Sequence, residues 1–86
     1  MEVRFHKDFK KEFGKLSPKI QQKFWERLEL WQEQPSHPLL KHHVLSGKLE
    51  GKHSINVSGD IRAIYEELDI VIVVYLMIGT HSQLYG

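Results

Sequence analysis

An unbroken apolar run over residues 70–78 is the feature that most limits what this chain can fold into. The run is rich in β-branched residues and lacks the polar alternation of a strand that faces water on one side. At nine residues it has about half the length that a transmembrane helix needs. We therefore expect a strand that lies inside a sheet, covered on both faces, and no membrane span.

Three further segments alternate polar and apolar residues or lie between turn-forming residues, as strands do. The predicted strands are residues 1–5, 49–57, 61–65 and 70–78. In the second of them Ile55 and Val57 are expected to face the core. Lys52, Ser54 and Asn56 then face outward, while His53 falls on the core side. The sequence therefore predicts a small four-stranded sheet of antiparallel or mixed pairing.

Two amphipathic helices are predicted between the first strand and the second. The first helix has the apolar stripe Phe5, Phe9, Phe13 and Leu16, and the second has the stripe Ile20, Phe24, Leu28 and Trp31. Ser17 and Pro18 are typical of an N-cap and of the first helical position. Gln34, which precedes Pro35, is the expected end of the second helix. The two helices would form a hairpin whose apolar faces cover the sheet, which makes the fold class α+β.

The composition limits the chain to one domain. Its 86 residues are 41% hydrophobic and 27% charged, as in an ordinary globular domain. A chain of this size has room for one core, so residues 1–86 are expected to form a single domain. Residues 1–11 are charged throughout and contain no apolar segment of a secretory signal. We therefore expect a cytoplasmic location.

Metal and cofactor motifs are absent from the sequence. Cysteine does not occur, which excludes a disulfide, a thiolate nucleophile and a cysteine-containing zinc site. Glycine-rich phosphate loops, zinc-protease motifs and nucleophile elbows are missing as well. The adjacent His42 and His43 would point to opposite sides of an extended segment, so they are not expected to share a metal ion. We expect neither a metal nor a cofactor.

Charge is distributed unevenly, although the net charge is only +1. Residues 1–53 contain eleven Lys and Arg against seven Asp and Glu, whereas residues 54–86 contain one against four. Five of the six histidines also lie in the first part. A basic face that meets phosphate could form there, although charge alone is more typical of a solvated helix surface.

Candidate catalytic and binding residues lie near the turns and strand ends of the second half. They are His43, Lys48, Lys52, Asn56, Asp60, Arg62 and His81. His81 follows the buried strand and is either a general acid or base or a structural histidine. Asp60 is either a site residue or an ordinary turn former. Arg62 interrupts an apolar strand, so its guanidinium either pairs with a carboxylate or binds an anion.

Three segments of the second half carry a family resemblance. They are residues 43–51, 54–65 and 79–86. The first has the spacing H-x-L-x-G-x-x-x-G, and the last has the spacing G-T-H-x-x-L-[FY]-G. With these segments the whole chain resembles the RelE/ParE superfamily of bacterial toxins from type II toxin-antitoxin modules, and most closely its YafQ-like branch.

This resemblance implies a RelE-like fold, in which the four-stranded sheet packs against the N-terminal helical hairpin. It also implies a metal-independent endoribonuclease, namely a ribosome-dependent mRNA interferase that enters the ribosomal A site and cleaves the mRNA there. Its partners would be the ribosome, mRNA and a cognate antitoxin that silences the toxin in an inhibitory complex.

The resemblance also implies roles for individual residues. By position, the active-site histidine, aspartate, second histidine and terminal aromatic of the branch correspond to His43, Asp60, His81 and Tyr85. Arg62 matches a basic position beside the scissile phosphate, which it would hold. His81 is expected to be the general acid, with His43 or Asp60 as base or as orienting group, although the acid and base roles could be exchanged. Tyr85 would stack on a base.

Two positions depart from the branch. Asn56 stands where the branch has a third active-site histidine, and Ile61 stands where it has a tryptophan. Asn56 would still face the site and bond phosphate or ribose, but it cannot shuttle a proton. His53 is not expected to replace the histidine, because its strand parity places it on the core side.

Two surfaces are expected to meet partners. A basic patch on the connection and on the outer face of the second strand should contact the RNA backbone through Lys41, His42, Lys48 and Lys52. The broad apolar and basic surface of residues 7–31 should receive a helix of the antitoxin.

Two other functions fit the same fold. One is a ParE-like toxin that binds DNA gyrase without RNase activity. The combination of His43, Asp60 and His81 argues against it, since a binding module has no need of that set. The other is a degenerate toxin that only sequesters antitoxin, for which Asn56 is the main support.

Overall fold

The sheet has five strands, one more than the sequence predicted. The computed structural model describes residues 1–85, and its elements are β1 (Glu2–Phe5), α1 (Lys7–Gly14), α2 (Pro18–Glu33), β2 (His43–Val44), β3 (His53–Ser58), β4 (Ile61–Glu67), β5 (Ile72–Thr80) and α3 (His81–Tyr85). The strand order is β1-β5-β4-β3-β2. The expected α+β architecture is therefore present, with β2 and α3 as additional elements. Gly86, which ends the C-terminal motif, lies outside the described residues.

β5 lies inside the sheet, as its apolar run predicts. It pairs in parallel with β1 and antiparallel with β4, so the sheet is mixed. Val73, Tyr75 and Ile78 are buried in the main core. The expected cover on both faces is incomplete, because Val74 and Met77, on the face away from the hairpin, are only half-buried. The strand starts two residues later than predicted because Ile70 and Val71 lie exposed in the turn after β4.

β2 is the fifth strand and forms the other edge of the sheet. It pairs antiparallel with the start of β3, where Val44 lies opposite His53. A two-residue strand is too short to show alternation, and for this reason the sequence predicted only a connection here. β3 begins at His53 and not at residue 49. Gly47 and Gly51, with φ angles of 70° and 84°, turn the chain between the two strands.

The helices α1 and α2 form the predicted hairpin. Ser17 caps α2, since its Oγ accepts a hydrogen bond from the Ile20 N–H at 3.3 Å. Phe24 is wholly buried between the hairpin and the sheet. Its ring centroid lies within 6.2 Å of those of Phe5, Phe9, Phe13, Trp25 and Tyr75. Two residues of the stripe predicted for the first helix lie outside α1. Phe5 ends β1, and Leu16 lies in the turn between the two helices.

The hairpin covers only one of the two faces of the sheet. Ala63 and Tyr65 of β4 belong to the core under the hairpin. Because side chains alternate along a strand, Arg62 points to the opposite face. Ser54 of β3 also faces away from the hairpin, as predicted, but it is buried and not exposed. None of the helices in residues 1–85 has the length and apolar character needed to span a bilayer.

Candidate active site

Four of the predicted site residues line one cleft on the face that Arg62 occupies. The cleft has a volume of about 410 Å³ and is lined by His43, Val44, Leu45, Ser46, Arg62, His81 and Tyr85. Strand β2 supplies His43, β4 supplies Arg62, and α3 supplies the remaining two candidates. The additional elements β2 and α3 therefore both line the site. Ser46 also lines it and was not predicted.

Asp60 contacts two of these residues from the turn between β3 and β4. Its Oδ2 accepts a hydrogen bond from the His81 backbone N–H at 3.4 Å. Its Oδ1 lies 4.0 Å from Nη2 of Arg62, whose side chain is 29% exposed. The Asp60 carboxylate therefore offsets part of the cost of burying the charged guanidinium of Arg62. At this distance the ion pair is loose, so Arg62 still presents N–H donors to an anion in the cleft.

His81 is the first residue of α3 and is exposed. Its ring centroid lies 4.6 Å from that of Tyr85, one helical turn later. The helix starts with a capping box, in which the Gln83 N–H donates to Thr80 Oγ1 at 3.2 Å and the Thr80 N–H donates to Gln83 Oε1 at 2.8 Å. The spacing T-x-x-Q is the sequence signature of this cap. Gln83 was not among the predicted site residues, although this spacing in the sequence indicates its role in the cap.

His43 has one ring nitrogen engaged. Its Nδ1 lies 3.0 Å from the Lys41 carbonyl oxygen. A carbonyl only accepts, so Nδ1 carries the proton in the neutral ring and Nε2 keeps its lone pair. His43 is exposed and can therefore present a basic nitrogen to the cleft.

Asn56 and Ile61, the two departures from the branch, do not line the cleft. Asn56 lies opposite Arg62 in the ladder, and its Nδ2 donates to the Gly59 carbonyl at 3.0 Å. This bond holds the turn that carries Asp60. Ile61 is half-buried and packs against the core.

His42 lies in a second cluster, separate from the residues that line the cleft. Its Nε2 is 3.0 Å from His53 Nδ1 and 2.9 Å from the Tyr65 hydroxyl. His53 stacks on Tyr65 with ring centroids 4.7 Å apart, and its Nε2 lies 3.0 Å from Glu67 Oε1. Strand parity thus predicted the side of His53 correctly. Within residues 1–85, no three His, Asp or Glu side chains are arranged to hold a metal ion.

Acid should destabilise this histidine cluster. Burial lowers the pKa of His42, and repulsion from His53 and then His43 lowers it further, against the attraction of Glu67. The unfolded chain keeps the ordinary value of about 6.5. The neutral ring therefore stabilises the fold above that pH, and the contribution is lost as the pH falls through the lowered pKa.

Urea denaturation at pH 7.5 and pH 5.5 measures this effect as a fall in the free energy of unfolding. His42→Gln should show a smaller fall than the wild type. The control is His81→Gln, a change at an exposed histidine outside the cluster, which leaves the contacts of His42 in place. An unchanged pH dependence in His42→Gln would contradict the prediction.

The predicted lysines do not all meet at the cleft. Lys48 lines an adjoining hollow of about 290 Å³ together with Ser46, Leu49, Leu84 and Tyr85. Because Ser46 and Tyr85 line both spaces, the hollow continues the cleft. Lys41 is exposed and Lys52 half-buried, and neither lines the cleft or the hollow.

The fold is shared with solved toxin structures. YafQ from E. coli strain BL21(DE3) matches with a TM-score of 0.80 and 23% identity, over 99% of this chain and 98% of that one. The RelBE2 toxin-antitoxin complex from Mycobacterium tuberculosis matches with a TM-score of 0.74 and 23% identity, over 93% and 96%. A YoeB/ParE toxin from Agrobacterium tumefaciens matches with a TM-score of 0.77 and 14% identity, over 94% and 99%. At these identities the likeness shows the fold alone.

Family membership rests on the sequence. No curated protein matches the chain. The sequence model of the family described as "Bacterial toxin of type II toxin-antitoxin system, YafQ" matches residues 1–86. The resemblance seen in the sequence is therefore confirmed, and the chain belongs to the YafQ family of bacterial toxins of type II toxin-antitoxin systems.

Proposed function

We propose that this toxin is a metal-independent endoribonuclease that cleaves mRNA in the ribosomal A site. One observation carries the proposal: His43, Arg62 and His81 line a single open cleft, although they come from three different elements. Two imidazoles and a guanidinium can supply the base, the acid and the phosphate contact that RNA cleavage without a metal requires. A toxin that acted only by binding would not need them together.

The proposed reaction is a transesterification. The ribose 2′-oxygen forms a bond to phosphorus, the bond from phosphorus to the 5′-oxygen breaks, and the products are a 2′,3′-cyclic phosphate and a 5′-hydroxyl. Nε2 of His43 takes the proton of the 2′-hydroxyl, and His81 gives a proton to the leaving 5′-oxygen. Arg62 stabilises the charge that develops on the phosphate. Asp60 fixes the His81 backbone, and the acid and base roles of the histidines exchange if the strand runs in the opposite direction.

RNA on either side of the scissile phosphate has candidate contacts. Tyr85 lines both the cleft and the hollow, where its ring would stack on a base. The hollow offers Leu49 and Leu84 to a second base and Lys48 to its phosphate. Asn56 donates to the Gly59 carbonyl through Nδ2, so its amide oxygen remains to accept a bond from a ribose hydroxyl.

Mapping of mRNA ends after induced expression tests the proposal. The toxin is expressed with and without the neighbouring open reading frame, and 5′ ends are mapped on a message with an intact start codon and on the same message without one. New ends confined to the translated message would support cleavage on the ribosome. Growth arrest without new ends would overturn the proposal and favour a ParE-like toxin that binds gyrase. Neither arrest nor cleavage would favour a degenerate toxin.

The basic patch gives a prediction about ribosome binding. Each cation that neutralises a phosphate releases counterions, so the logarithm of the binding constant falls steeply with the logarithm of the salt concentration. Replacing Lys41, Lys48 and Lys52 together with glutamate should weaken binding and flatten that slope by about two to three units.

The salt dependence is measured with purified ribosomes at several salt concentrations. His42 is left unchanged, because its contacts with His53 and Tyr65 would alter stability as well. The charge-matched control replaces three exposed lysines of the hairpin with glutamate, namely Lys11, Lys15 and Lys19. Unchanged binding in the first variant, or an equal loss in the control, would contradict an RNA-contacting patch.

An antitoxin is proposed as the second partner. E. coli YafQ occurs in a DinJ-YafQ complex. In this chain Trp25 is 44% exposed on α2, among the lysines of the hairpin, and offers an apolar anchor to an acidic helix. Trp31, the other tryptophan, is buried, so a change in exposed tryptophan fluorescence would report binding at Trp25.

Co-expression with the neighbouring gene product should give a stable complex. Trp25→Glu should weaken that complex at least tenfold, while an exposed polar change on the same helix, Gln22→Glu, should not. A toxin that stays free beside the co-expressed product, or a Trp25→Glu variant that binds normally, would contradict this docking surface.

A further inference from the structure

The short helix α3 owes its geometry to the contacts of its first turn. It has five residues, and isolated helices of this length do not hold in water. Gln83 and Thr80 bond each other's backbone N–H groups, as described above, and Asp60 accepts from the His81 N–H at 3.4 Å. His81 thus lies between Thr80 and Gln83, which these bonds hold in place, and its ring lies against that of Tyr85.

Gly79 leaves room for this arrangement. It is buried at the end of β5, and a Cβ added there would lie 2.7 Å from Gln83 Oε1. That separation is too short for a non-bonded contact. The side chain of Gln83 could move aside, but it would then give up its bond to the Thr80 N–H. The hydrogen bond to the Thr80 N–H therefore needs both the amide of Gln83 and the absence of a side chain at Gly79.

From this geometry we infer that Gln83 is a positioning residue, which fixes the His81 imidazole over the cleft through the Thr80 backbone and the space left by Gly79. The inference rests on the proposed function of His81 as a proton donor. Gln83 itself is not among the residues that line the cleft, so it acts through another residue. Alanine at this position would leave the Thr80 N–H without its side-chain acceptor.

Glutamine and glutamate at position 83 would differ in how strongly they favour the protonated form of His81. Either residue can close a capping box. A glutamate carboxylate two residues from His81 would favour the imidazolium and raise its pKa. A general acid works in its protonated form, so a raised pKa extends cleavage to higher pH. The neutral amide holds the same geometry without that charge.

Rates of single-turnover cleavage of ribosome-bound mRNA, measured across pH, test the inference. Gln83→Ala should be roughly fivefold to tenfold slower, because a helix start that loses a capping bond holds the His81 ring in place for a smaller share of the time. Gln83→Glu should recover most of the rate and move the alkaline limb of the pH profile upward, by on the order of half a unit. Gly79→Ala should be slowed like Gln83→Ala, and the double variant should be no slower than either, since both changes break one bond.

The control is Gln22→Ala, an exposed glutamine of α2 that should cleave at the wild-type rate. Gln83→Ala with wild-type rate and pH profile would overturn the inference, as would additive losses in the double variant. NMR measurement of the His81–Tyr85 ring contact gives a readout apart from activity. Failure of the wild type to cleave would refute the proposed function alone, and a ring contact unchanged in Gln83→Ala would refute the positioning role alone.

Discussion

Replacing His81 with alanine is expected to slow mRNA cleavage by about 10²- to 10⁴-fold, the usual contribution of general acid catalysis. The fold should remain intact because His81 is exposed and loses only its ring contact with Tyr85. Its backbone N–H keeps its bond to Asp60. Single-turnover cleavage on ribosomes measures the rate, and growth after induction measures toxicity.

The relative cleavage rates of the site variants distinguish a catalytic role of each residue from a structural one. Arg62→Ala should also slow cleavage strongly, while Asp60→Ala should have a smaller effect if the carboxylate only orients the His81 backbone. Thermal unfolding and antitoxin binding of each variant control for damage to the fold. A folded His81→Ala protein that remains fully toxic would exclude the nuclease mechanism and favour gyrase binding. A His81→Ala protein that does not fold would show a structural histidine.

Phe24→Ala should lower the free energy of unfolding by about 3–5 kcal/mol. Phe24 is fully buried and contacts aromatic rings of β1, α1, α2 and β5, so its removal leaves a cavity between the hairpin and the sheet. Such a loss is a large part of the stability of a small domain. Urea denaturation followed by circular dichroism gives the difference.

Trp25→Ala is the matched control for that measurement. Trp25 neighbours Phe24 on α2 and is also aromatic, but it is 44% exposed. Its removal deletes less buried surface and should cost clearly less stability than Phe24→Ala. Equal losses would show that the core does not lie where the hairpin meets the sheet.

Long sequence patterns predicted the body of the fold. The apolar run of β5 and the stripe of α2 extend over enough residues for burial to leave a period in the sequence. β2 and α3 leave no such period, because two and five residues are held in place by contacts with distant strands and by a cap. The fifth strand was therefore absent from the prediction, because a strand of two residues is too short to leave a local pattern.

The candidate site was predicted on different grounds. The family resemblance pointed to His43, Arg62, His81 and Tyr85, and the structure brings these four together. His42, which was also predicted as a site residue, does not line the cleft. Its ring contacts His53 and the Tyr65 hydroxyl instead. Contacts of this kind depend on the whole backbone and have no signature in the sequence.

The parallel pairing of β1 with β5 has a consequence for the order of folding. Val3 lies beside Val73, so the first strand waits for a partner that is synthesised seventy residues later. Contacts this distant in sequence slow folding, because a long loop must close before they form. The hairpin can form early, but its aromatic face stays uncovered until β5 arrives, and His81 follows β5 directly. The nascent toxin therefore acquires its core and its proposed proton donor almost together, and a chain that stalls before β5 has neither.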